Sequence, residues 1–152
     1  MRILLSILAL SFVGMSAQAE DVPARWDDVR QKFSFSSFNS YYHCDYVERQ
    51  ATRTLEALGA QNIKVDCRGG LPDWDINWIT AEFSVLRTAD ADKATTTARV
   101  VNRGLEFRES CDLNKEMTRR FLREFEVTDS NRRGSCRDSR GRLKYNVQLL
   151  GQ

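Results

Sequence analysis

Four cysteines, Cys44, Cys67, Cys111 and Cys136, constrain this chain more than any other feature, because cross-links decide which segments must lie together. They stand in two phrases of the same form. Cys44-Asp45 leads into a helix-like run that closes on Cys67-Arg68, and Cys111-Asp112 leads into another that closes on Cys136-Arg137. Twenty-two residues separate the first pair and twenty-four the second. After each second cysteine come a Gly-containing turn region and an alternating strand, Ile76 to Leu86 and Leu143 to Leu150. An even cysteine count in an exported chain reads as disulfides. Spacing alone does not choose among the pairings, but the repeated phrase does: it predicts Cys44–Cys67 and Cys111–Cys136. The same phrase suggests a duplicated strand-helix-strand-strand unit over residues 33–87 and 95–150.

Local patterns agree with that reading. Val47, Ala51, Leu55 and Leu58 follow Cys44 at helical spacing and form one apolar stripe, with Gly59 placed as a C-cap. Ile63, Val65 and Cys67 then alternate with Asn62, Lys64 and Asp66, as in a half-buried strand. Both cysteines of the first pair therefore point between helix and sheet. The second helix is expected from Cys111 to Phe125, with Ser110 as N-cap, Asp112 in the first turn and Leu113, Met117, Phe121 and Phe125 as its stripe. Thr128 to Asn131 reads as much like loop as strand, so there the repeat carries the pairing. Further strands are expected at Phe33 to Phe35, Asp75 to Leu86, Thr95 to Phe107 (with Gly104 as a bulge) and Leu143 to Leu150. Gly69-Gly70-Leu71-Pro72, Ala89 to Lys93, and Gly134 with Gly141 read as turns. Glu20 to Lys32 is expected as a short helix or an arm across the sheet. The fold class that fits is α+β, a two-layer sandwich of a largely antiparallel sheet with two helices on one face.

Residues 1–19 differ from the rest. Arg2, an apolar run from Ile3 to Gly14, and Ala17-Gln18-Ala19 have the form of a cleavable signal peptide cut before Glu20. The run is too short for a spanning helix, which needs roughly 20 apolar residues. The expectation is a periplasmic or secreted product of residues 20–152, one disulfide-stabilised domain with no transmembrane segment. Charge is nearly balanced over the whole chain, at +2. It is uneven along it, however: Asn131 to Lys144 holds Arg132, Arg133, Arg137, Arg140, Arg142 and Lys144 against Asp138 alone.

Little in the sequence points to catalysis. His43, the one histidine, precedes Cys44 directly, but neighbours on a helix diverge by about 100°, poor geometry for a nucleophile and its base. No C-x-x-C redox motif occurs, and no close Cys or His pairs form a zinc site, so neither metal nor cofactor is expected. Asp73 and Asp75, with Trp74 and Trp78, and the second pair Asp90 and Asp92 combine acids with turns. They carry the runner-up reading, a small secreted hydrolase using loop carboxylates, although acidic residues also simply solvate turns. Helix pairs Asp45–Arg49 and Glu116–Arg120 read as surface support.

Arg132, Arg133, Arg137, Arg140 and Arg142 are the leading candidate for a binding surface, since guanidinium forks match phosphate and carboxylate groups. The alternative is a solvated charged loop. Nucleic acid is not expected, because aromatics for base stacking are not interleaved with the run. The expectation is a non-enzymatic binding protein, inhibitor-like in form, that recognises an anionic envelope component or a protein partner.

Overall fold

Alternation decides which way each strand faces. Ile79, Ala81, Phe83 and Val85 share one side of a strand and are buried, as are Leu143, Tyr145, Val147 and Leu149 on another. The computed structural model describes residues 20–37, 41–70, 76–137 and 139–152. The leader read at residues 1–19, the Leu71-Pro72 turn, the Asp73–Trp74–Asp75 group and Asp138 lie outside the described residues. The elements are β1 (Val22–Phe35), α1 (Cys44–Leu58), β2 (Gln61–Gly69), β3 (Asn77–Thr88), β4 (Thr96–Phe107), α2 (Cys111–Phe121), a short 3₁₀ turn (Leu122–Glu124), β5 (Val127–Arg137) and β6 (Arg140–Gly151).

The six strands form one antiparallel sheet in the order β2-β3-β1-β4-β6-β5, with both helices on one face, the two-layer α+β arrangement the sequence predicts. Strand, helix, strand, strand occurs twice, and the strand that follows each helix takes the outer edge of its half. The halves join where β1 and β4 pair, at Val22–Ala98, Pro23–Thr97 and Ala24–Thr96. α1 buries Val47, Ala51, Leu55 and Leu58 and stops at Gly59, whose φ of 89° lets Ala60 N–H reach the Leu55 carbonyl at 3.0 Å. α2 buries Leu113, Met117 and Phe121, and the Phe121 ring stands edge-on to Phe33 and Phe83 at 5.8 Å. The core lies between this helical layer and the sheet.

Both expected disulfides are present. Cys44–Cys67 and Cys111–Cys136 each tie the first residue of a helix to the strand that follows it. Around the first, Asn77 Nδ2 donates to the Tyr42 carbonyl at 3.0 Å and Cys67 N–H donates to Glu48 Oε1 at 2.8 Å.

Several local expectations are corrected. Glu20 to Lys32 is neither helix nor arm: from Val22 onward it is the first part of β1, paired residue for residue with β3 from Ala24 on. Its buried positions are few, and charges at Asp27, Asp28, Arg30 and Lys32 hide the period of two. Thr128 to Asn131 is strand, in β5, an edge strand whose residues from Thr128 to Ser135 are all exposed, so no apolar alternation announces it. The second helix ends at Phe121 rather than Phe125 and tightens into the 3₁₀ turn. Ser110 holds the N-cap position as expected, but its side chain makes no capping hydrogen bond; the residue sits at φ 48° and its hydroxyl meets that of Tyr46 at 2.7 Å. Gly104 makes no bulge, for it pairs with Asn146 in unbroken register. The irregularities fall instead between Gln61 and Lys64 and between Val127 and Asp129. Gly134 and Gly141 are inside β5 and β6 rather than at a turn. Gly134, at φ 93°, leaves room for the Arg142 carbonyl, which a Cβ there would strike.

Candidate functional site: the helix-free face of the sheet

Because side chains alternate, the residues between the buried ones on β1, β2 and β3 emerge on the face the helices leave open. Cross-strand register sorts them into rows. Arg68, Trp78 and Ser34 form the outermost row, Asp66, Thr80 and Lys32 the next, and Lys64, Glu82 and Arg30 the third. All of them but Ser34 line a shallow depression of about 390 Å³. Trp78 is among its lining residues, with 59% of its surface exposed, the most exposed of the large apolar residues described. Arg30 holds Glu82 at 3.2 Å and Arg68 holds Asp66 at 3.4 Å. Among the described residues, Lys32 and Lys64 have no carboxylate within ion-pair distance, so the depression carries a net positive charge.

The other half repeats this theme with different residues. Arg133 pairs with Lys144 across β5 and β6, Lys144 with Glu106 across β6 and β4, Ser135 with Arg142, and Arg137 with Arg140. Glu106 gathers three cations: Arg142 at 2.7 Å, Lys144 at 3.0 Å and Arg108 at 3.0 Å. Hydrogen bonds from Lys144, Arg108 and Arg142 hold its carboxyl far below the ordinary value of 4.5, at about 2. Arg132 points elsewhere: it lies opposite Tyr145, and its guanidinium partly offsets the upward push that burial gives that phenol. The candidate run is therefore divided. Arg133, Arg137 and Arg140 are exposed and have no carboxylate partner among the described residues, Arg142 serves Glu106, and Arg132 serves Tyr145.

Between the two basic ends the same face is apolar. Ala24, Leu86, Ala98 and Leu150 form a small buried cluster with Val22 and Trp26 packed against it, and Val100 beside Leu150 is 41% exposed. The cluster straddles the junction of β1 and β4.

The remaining candidates are separated from this face or engaged in structure. Cys44 is held in its disulfide, and the exposed His43 precedes α1 and accepts from Val47 N–H through its carbonyl. Asp90 is bound by Lys93 at 3.0 Å within its turn. Arg49 lies over the Tyr46 ring, 6.0 Å from its centroid. Glu116 binds Arg119 at 2.6 Å as well as Arg120 at 2.7 Å, and both cations lower its pKa. Among the described residues no cluster of His, Cys, Asp and Glu is placed to hold a metal ion, and no helix is long and apolar enough to cross a membrane. Sequence reasoning missed Arg30, Lys32, Lys64 and Arg68 as site residues, since they come from three separate segments. The signal available was their shared parity on alternating strands. No family model, curated protein or solved structure matches this chain.

Proposed function

We propose that this chain is an exported binding protein that holds an anionic partner, an envelope component or a protein, against the helix-free face of its sheet. The observation that carries the reading is the combination on that face of an exposed tryptophan, 59% accessible, with cations at both ends and an apolar middle. A solvated sheet face needs only polar side chains. Exposing an indole costs hydration free energy that a partner recovers, and Trp and Arg are enriched where proteins meet their partners. A rigid sheet also holds these groups in place before binding, which spares the ordering cost a flexible loop would meet. The export part of the reading rests on the leader pattern of residues 1–19 and the two cross-links.

The test is capture from an envelope extract of the source cells, with the purified oxidised protein as bait. Mass spectrometry of the bait isolated from the same cells should show that it begins at Glu20; a product still beginning at Met1 contradicts export. Two further baits carry Lys32→Ser with Lys64→Ser, and Arg133→Ser with Arg137→Ser and Arg140→Ser. The account expects an anionic component that is enriched, weakened by at least one of these variants, and released as salt rises to about 0.5 M. Enrichment indifferent to both variants and to salt would remove the binding face from consideration.

A further inference from the structure

We infer that the depression around Trp78 is a subsite for an acidic saccharide, with Trp78 taking the apolar face of a sugar ring while Lys32 and Lys64 take its carboxylates. This deepens the proposed binding function and rests on it. A sugar ring presents C–H bonds on its flat faces and hydroxyls around its rim. A single fixed indole beside polar side chains matches that division. Trp78 supplies the indole, standing between Arg68 and Ser34 and more than half exposed. Asp66 and Glu82 supply acceptors for hydroxyls, and each is oriented by its own arginine, at 3.4 Å and 3.2 Å. Lys32 and Lys64, without ion pairs among the described residues, supply the positive charge that selects an acidic sugar over a neutral one.

Scale agrees as well. Lys32 is one row from Trp78 and Lys64 two rows, about 7 and 13 Å along the strands. That reach suits a short segment of a chain whose acidic group recurs, rather than one isolated ring. The depression, at about 390 Å³, falls at the small end of ligand sites, which run from about 300 to 1,000 Å³. A nucleic-acid strand fits less well. Asp66 and Glu82 in the lining would repel its phosphates, and one exposed ring offers no run of stacking platforms.

Isothermal titration of the oxidised protein decides the matter. The probes are a hyaluronan tetrasaccharide (alternating glucuronate and N-acetylglucosamine), the neutral chitin tetrasaccharide, and octathymidylate. The expected result is measurable binding of the acidic sugar and affinity for the neutral one lower by about tenfold. Trp78→Ala and the Lys32→Ser, Lys64→Ser double variant should each weaken the acidic sugar by about tenfold, while Trp78→Phe retains most affinity. The Lys115→Ser variant, changed on α2 in the opposite layer, should bind as the parent does. Near-UV circular dichroism shows that each variant keeps its packing. No binding of the acidic sugar by folded protein, equal binding by Trp78→Ala, or preference for octathymidylate overturns the inference. If the sugar fails while envelope capture still depends on Lys32 and Lys64, the saccharide is wrong and the binding face stands. If capture is also indifferent to both sets of variants, the face falls with it.

Discussion

Glu106 shows how much one side chain decides about the basic segment. It binds Arg108, Arg142 and Lys144 together, so two of the cations that crowd the run from Arg132 to Lys144 are already committed within the protein. Its carboxyl is held at about 2, below the ordinary 4.5. A lowered carboxylate pKa means that the pairing contributes in full above about 4.5 and is lost as pH falls through about 2. Carbon-detected NMR of the Glu106 carboxyl should therefore show a titration midpoint near 2. In Glu106→Gln the three cations are released, and binding of an anionic partner at this end of the face should strengthen. A midpoint near 4.5, or unchanged binding in the variant, would show that the cations are not held as the geometry describes.

At the scale of elements the cross-links carry the clearest prediction. Each disulfide closes a loop, with a sequence separation of 23 for Cys44–Cys67 and 25 for Cys111–Cys136. The chain-entropy model assigns about 3 kcal/mol to loops of this length. Replacing either pair by serines should lower unfolding free energy by that order, measured by urea denaturation, and by similar amounts because the loops are similar. A loss from one pair and none from the other would contradict their equivalent placement. These elements were the most legible part of the chain. The helix stripes, Gly59 and the strands of Ile79 to Val85 and Leu143 to Leu149 announce themselves because one face of each is buried. β5 was not legible, since an edge strand with Thr128 to Ser135 exposed has no buried side to impose a period. The first half of β1 was obscured for a related reason. Ala24 and Trp26 face the small apolar cluster on the open side, whereas Phe33 and Phe35 face the main core, so the buried parity changes within one strand. Ser110 was legible as the N-cap position but not in its partner, since its hydroxyl is recruited by Tyr46 across the helix layer, a tertiary contact no local rule contains.

Over the whole molecule, two like units meet at β1 and β4 and leave a continuous sheet whose open face is basic at both ends and apolar between them. The sequence contained half of this surface. The arginine run is contiguous and visible, but Arg30, Lys32, Lys64, Arg68 and Trp78 come together only through the register of three strands. Neither parity nor register can be read from spacing alone once the segments are far apart in the chain. The central claim, that partners bind to this open face, is tested most directly by lysine footprinting with and without envelope extract. Lys32 and Lys64 lie on the open face, while Lys115 is exposed on α2 in the opposite layer and serves as the internal control. The account predicts that acylation of Lys32 and Lys64 falls when extract is added and that Lys115 reacts as before. Protection of Lys115 with Lys32 and Lys64 unchanged would place the binding surface on the helices and contradict it.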